Sequence, residues 1–185
     1  MKADKAVQCT GTENDKKLNF EIGVNRNIIL QYNPNTKKIR FETKTEDLKL
    51  NTRRCLNLAL NSWSLFCSNL PAIEKAVAEV EQGQPEIDCR VHIGSLFFVT
   101  VKSEFNCVDI RKWYISKQDT PSLANLRPGI PGITLKFCEF ENLVQDLEVF
   151  HWSAGIELPE ACALNHENQE AAVQCSFCNP WGLFY

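Results

Sequence analysis

Residues 89–102 read CRVHIGSLFFVTVK, and residues 20–32 read FEIGVNRNIILQY. Each contains an Ile-Gly pair, Ile93-Gly94 and Ile22-Gly23, followed by a run in which apolar residues alternate as they do along a half-buried strand. The likeness continues outward. A turn-like segment follows, SEFN (103–106) or NPNTKK (33–38), then a second alternating strand, VDIRKWY (108–114) or IRFETKT (39–45). A polar connection leads to a short strand, PGITL (131–135) or RRCLNL (53–58), and a helical run closes each half. The segment EQGQPEID (81–88), with Gly, Pro, Gln and acids, separates the two as a linker.

The helical runs are set by spacing. Trp63, Phe66, Leu70, Ile73, Val77 and Val80 recur at intervals of three and four, which lines one face of a helix over 62–80. Pro71 is expected to kink or split it. Phe137, Phe140, Leu143, Leu147 and Phe150 repeat the pattern over 137–150. The predicted fold class is therefore α+β: two tandem copies of a curved antiparallel sheet followed by a helix, at 16–82 and 89–150. A short sheet with one helix leaves an edge and a face uncovered, so the two copies are expected to pack together as an intramolecular pseudo-dimer. Residues 1–15 read as a flexible leader, 83–88 as the linker core, and 151–185 as an acidic, Cys- and aromatic-rich tail that docks on the body.

The chain has 185 residues, a net charge of −3 and nine cysteines. An odd number of cysteines without a secretory leader reads as reduced thiols in a nuclear, cytosolic or virion setting rather than a secreted disulfide scaffold. No apolar run approaches the roughly 20 residues of a membrane helix. Charge is unevenly spread. Residues 16–54 hold ten Lys/Arg against four Asp/Glu, whereas residues 136–185 hold one base against eight acids. Such asymmetry predicts one basic face and an acidic end.

With these elements in order, the chain resembles the transcriptional positive cofactor four family of single-stranded-DNA-binding coactivators. The resemblance is carried by HIGSLFFVTVKSEFNCVDIRKWY, RPGIPGITLKFCEFENL and, more loosely, FEIGVNRNIIL and RRCLNLALNSWSLF, across residues 18–150. It implies a groove for single-stranded nucleic acid between two sheets. Position by position, the family's basic strand residue falls on Lys102, with Gln31 in the first copy. Its hairpin tip falls on Phe105, or on Lys37 and Lys38. Its strand arginine falls on Arg111 or Lys44, with Trp113 or Tyr114 close behind. Its basic pair falls on Arg53 and Arg54, but on Ile130 and Pro131 in the second copy, where the cations are lost. The expected groove is thus asymmetric. Arg26, Lys37, Lys38, Arg40, Lys44, Arg53 and Arg54 supply charge, while Lys102, Phe105, Arg111, Lys112, Trp113 and Tyr114 supply rings with some charge.

The chemistry suits the residue types. Cations neutralise phosphates and release counterions, and rings stack on bases without reading sequence. Alternation, however, sends one of Trp113 and Tyr114 into the core. In the tail, Cys162, His166, Cys175 and Cys178 are types that bind zinc, but only the final C-x2-C has a usual spacing. The reading adopted is that these cysteines pack among Trp152, Phe177, Trp181 and Phe184, with no metal and no other cofactor. His92, His151 and His166 have no paired nucleophile, and no phosphate-binding glycine loop is present, so no enzyme is expected. The expected function is non-enzymatic binding of single-stranded DNA, or RNA, in transcription or replication. Proteins of those processes are further partners, no membrane is involved, and the chain is a pseudo-dimeric monomer or a homodimer. The alternative is a protein-interaction module on the same fold whose DNA binding has decayed.

Overall fold

The computed structural model describes residues 8–10, 17–23, 27–44, 50–116, 118–120, 122–160, 162, 166, 169–180 and 182. The first sheet is an antiparallel meander of β1 (Gln8–Thr10), β2 (Lys17–Glu21), β3 (Asn27–Asn33), β4 (Lys38–Lys44) and β5 (Leu50–Ala59). Helices α1 (Leu60–Ser68) and α2 (Leu70–Glu81) follow it. The second sheet, also antiparallel, is β6 (Asp88–His92), β7 (Phe97–Lys102), β8 (Phe105–Ile115) and β9 (Leu126–Lys136), followed by α3 (Phe137–Ala154). A short helix α4 (Gln169–Gln174) lies in the tail.

The inward rows of the two sheets correspond. Leu30, Phe41 and Leu56 stand opposite one another across β3, β4 and β5, and all three are buried. Val99, Ile110 and Ile133 do the same across β7, β8 and β9. Each Ile-Gly pair makes the same connection: the Ile22 N–H donates to the Ile28 carbonyl at 3.0 Å, and the Ile93 N–H to the Phe97 carbonyl at 2.9 Å. Strand alternation delivers these rows to one side, where the helices cover them.

The helix faces form as the spacing predicts, since Trp63, Phe66, Leu70, Ile73, Val77 and Val80 are all buried. The split falls at Asn69, whose side-chain amide donates to the Leu65 carbonyl at 2.7 Å, and Pro71 stands in the first turn of α2. A proline is tolerated there because its missing N–H has no helical partner to lose. A single cluster of buried side chains draws on both sheets and on α1, α2 and α3. Trp63 is its hinge between halves: its indole donates to His151 Nε2 at 2.8 Å, across from α1 to α3.

The structure departs from the sequence reading in several places. The strands expected as RRCLNL and PGITL extend over ten and eleven residues. Residues 126–130, which the sequence reading places in the polar connection before PGITL, belong to β9; with Pro128 and Pro131 it forms the edge of its sheet, the position where a strand can do without an N–H. A register shift between Arg111 and Trp113 takes up the irregularity. Inside the expected leader, Gln8–Thr10 pairs with β2. Helix α3 continues to Ala154 rather than ending at Phe150.

Two histidines, His92 buried and His151 partly so, make stability depend on pH. Burial, and then the charge of His166, push His92 down to about 4 from the ordinary 6.5, and burial also lowers His151. The fold therefore favours both imidazoles neutral. Their contribution is complete above about pH 6.5 and declines as pH falls from there towards the folded pKa. For His92 the gap corresponds to roughly 3 kcal/mol. Urea unfolding midpoints should fall between about pH 7 and pH 4.5. The His92→Gln variant should show a flatter fall, and an unchanged slope would remove His92 from the account.

Candidate functional site

The outer face of the first sheet is polar. Alternation that turns Leu30, Ile39, Phe41, Leu56 and Leu58 inward turns Gln31, Asn33, Lys38, Arg40 and Asn57 the other way. Arg40 stands between Gln31 on β3 and Asn57 on β5. Its Nε lies 3.1 Å from Glu42 Oε2 and its guanidinium donates to Cys55 Sγ at 3.3 Å, which fixes the plane of the group. Lys38 opens β4, and Lys37 sits in the preceding turn at φ +50°, both exposed to solvent. Gln31, Tyr32, Asn33, Thr36, Lys38, Arg40 and Asn57 line a depression of about 270 Å³, with Lys37 in the turn beside it. Amides and cations on a pleated surface suit a phosphate-sugar chain, which presents acceptors at short, repeated intervals.

Arg26 lies outside the described residues. The backbone places Lys44 on β4, the strand of Lys38 and Arg40, and Arg53 and Arg54 on the neighbouring β5.

In the second sheet the expected cations are already engaged. Arg111 grips Asp109 with two hydrogen bonds, at 2.7 and 2.8 Å, and donates to the Gly129 carbonyl at 2.9 Å. Thr134 also donates to Asp109, at 2.9 Å, so the group forms a frame that ties β8 to β9. Lys102 lies 3.3 Å from Asp88 on the neighbouring strand. Lys112 Nζ rests 5.9 Å from the Phe97 ring centroid.

The rings divide sharply. Tyr114 is 46% exposed and Phe105 59%, but Trp113 is only 8% exposed. Trp113 packs on Phe98 at 5.8 Å between centroids and carries the Arg90 guanidinium 4.3 Å above its ring. Leu96, Leu126 and Val173 complete a second apolar cluster around it. As a base-stacking residue Trp113 is therefore corrected: it belongs to a small core on the outer face of the sheet. Arg90 escaped the sequence reading. Period-two spacing along β6 puts it beside Asp88 and His92, but nothing in the sequence pairs it with Trp113.

What covers that outer face is the tail. Val173 of α4 enters the second cluster. The Cys178 carbonyl accepts from the Ser95 N–H at 3.1 Å, and Ser64 Oγ on α1 donates to the Pro159 carbonyl at 2.8 Å. Asn179, buried, donates to the carbonyls of Val173 and Gly182. The same segment gathers Cys162, His166, Cys175 and Cys178, whose ligand atoms all lie within 4.8 Å of one another. Cys162 and Cys175 sulfurs are 3.9 Å apart, and His166 Nε2 is 3.3 Å from Cys178 Sγ. Backbone N–H groups of Cys178 and Phe177 point at the Cys175 sulfur and pull its pKa below the ordinary thiol value, whereas burial raises that of Cys178. Spacing alone argued against this set. The longer interval, between His166 and Cys175, contains α4, and only the fold brings the four residues together.

No described helix is long and apolar enough to cross a membrane. The chain matches no protein-family profile, no curated protein and no solved structure.

Proposed function

We propose that the chain is a non-enzymatic protein that binds single-stranded nucleic acid, single-stranded DNA foremost, and that its two halves work as an intramolecular pseudo-dimer in transcription or replication. The observation that carries this reading is the open polar face of β3, β4 and β5, where Lys38 and Arg40 stand among Gln31, Asn33 and Asn57, with Lys37 in the adjoining turn. Phosphates contact the lysines, and the amide side chains follow the sugar-phosphate chain. On the second sheet Tyr114 and Phe105 are the rings free to stack, each worth about 1–3 kcal/mol. Arg111 acts as a positioning residue, holding the β8–β9 edge through Asp109 and Gly129.

The test is fluorescence anisotropy with labelled single strands of about 20 nucleotides, longer than one such site, over a salt series and beside the duplex. Tight single-strand binding that weakens steeply with salt is expected. Replacing both Lys37 and Lys38 with alanine should flatten the slope of log K against log salt by about 1.4, the share of two phosphates on a single strand. Tyr114→Ala should weaken binding without changing that slope. Absence of binding at low salt to single strands of DNA and RNA alike would overturn the reading.

A second reading has its own observation. Trp152 on α3 is 86% exposed, with Val149 one turn before it also exposed. A bare tryptophan on a helix is costly to leave in water and typical of a contact residue. Should nucleic-acid binding fail, this helix face makes the chain a protein-interaction module.

A further inference from the structure

We infer that Cys162, His166, Cys175 and Cys178 form a tetrahedral structural zinc site that fastens the C-terminal segment to the body of the fold. The inference stands apart from the nucleic-acid reading, since it uses other residues and another measurement.

Geometry is the first argument. Zinc bonds of about 2.3 Å to sulfur and about 2.0–2.1 Å to nitrogen, set at tetrahedral angles, place neighbouring sulfurs about 3.8 Å apart and a nitrogen about 3.5 Å from a sulfur. The observed separations are 3.9 Å for Cys162 and Cys175 and 3.3 Å for His166 and Cys178. All four atoms converge, which a pair of chance neighbours would not do. A disulfide requires sulfurs about 2.05 Å apart, so the Cys162 and Cys175 sulfurs are too far apart to be bonded and close enough to share one ion.

The second argument is the surroundings of the sulfurs. Cys175 and Cys178 flank a tight turn whose N–H groups, from Phe177 and Cys178, are aimed at the Cys175 sulfur. Such donors stabilise a thiolate and orient it as a ligand. Cys178 is buried. Three sulfurs and an imidazole around one point suit zinc, which takes Cys3His sets in closed, structural sites. With four protein ligands no position is left for a substrate, so the site is structural rather than catalytic.

The third argument is what the ion would join. Cys162 follows the stretch held to α1 by the bond from Ser64 to Pro159, and Cys178 is held to the β6–β7 connection by Ser95. Cys175 directly follows α4, whose Val173 packs near Trp113. One ion therefore locks the tail against both halves and keeps the cap over the outer face of the second sheet.

Full-length protein produced with zinc present and dialysed without chelator should carry about one zinc per chain by elemental analysis. Cys162→Ser and Cys175→Ser should each reduce this to near none, while Cys138→Ser, at an exposed cysteine on α3, should leave it unchanged. A ligand variant that fails to fold is covered by a measurement on the unaltered chain. Reduced, metal-stripped protein titrated with cobalt(II) should develop the ligand-field bands of tetrahedral coordination and a thiolate-to-cobalt charge-transfer band, both bleached by zinc. Absence of zinc together with absence of these bands would overturn the site. So would zinc retained in full by both serine variants.

Discussion

Trp63→Ala is expected to lower the unfolding free energy by about 3–5 kcal/mol, the range for emptying a buried aromatic site. Trp63 is fully buried, stacks on Phe66 at 5.1 Å and meets Phe41 and Phe150 at 5.9 and 6.2 Å between ring centroids. Phe41 belongs to the first sheet and Phe150 to α3, so the void would open where the two halves join. The truncation also strips the partly buried His151 Nε2 of its indole donor, which adds the cost of a lost hydrogen bond. Trp63→Phe isolates that part: much of the volume returns, the hydrogen bond does not, and a loss of about 1–3 kcal/mol is expected. Urea unfolding followed by circular dichroism measures both. Because one side chain serves both halves, the unaltered chain should unfold in a single transition. Two separate transitions, or a loss under about 1 kcal/mol in the alanine variant, would mean that the halves have independent cores.

The sequence showed this core clearly and the outer faces poorly, for a physical reason. Burial imposes a period, so Trp63 to Val80 and Phe137 to Phe150 announce their helices, and Leu30, Phe41 and Leu56 announce their strands. Polar faces carry no such imprint. Whether a lysine or arginine is open to a ligand depends on what stands beside it. Asp109, two residues before Arg111 and therefore on the same face of β8, claims that guanidinium. The choice between Trp113 and Tyr114 rested on a register shift and on Val173, some sixty residues further along the chain, and neither is visible in local alternation. Edge position excused the prolines of β9, and strand order is a property of the sheet rather than of the strand. The Cys/His set is the extreme case. Its chemistry was legible from residue type, but its convergence exists only once α4 has folded back.

Gly94→Val is the sharpest probe of the joint between body and tail, with an expected loss of about 3 kcal/mol or more. Two costs combine. Gly94 has φ +90°, a conformation that a β-branched residue adopts only under strain of about 1–3 kcal/mol. A Cβ there would also stand 3.0 Å from the Cys178 carbonyl, 3.2 Å from Ser62 Oγ and 3.3 Å from Leu65 Cδ1. Of these, the carbonyl is the one the tail must surrender, and it is the acceptor for the Ser95 N–H. Gly83→Val provides the control, since Gly83 also has positive φ but nothing lies within 4 Å of its Cβ position. It should show the backbone strain alone. Urea unfolding gives the two losses, and limited proteolysis of the segment after α3 reports whether the tail has come away. Greater loss in Gly94→Val with faster cleavage of that segment is the expected result. Equal losses with unchanged cleavage would show that the tail adds nothing to the fold at this point. The Ile-Gly pair that opens the second copy would then serve its strand connection alone.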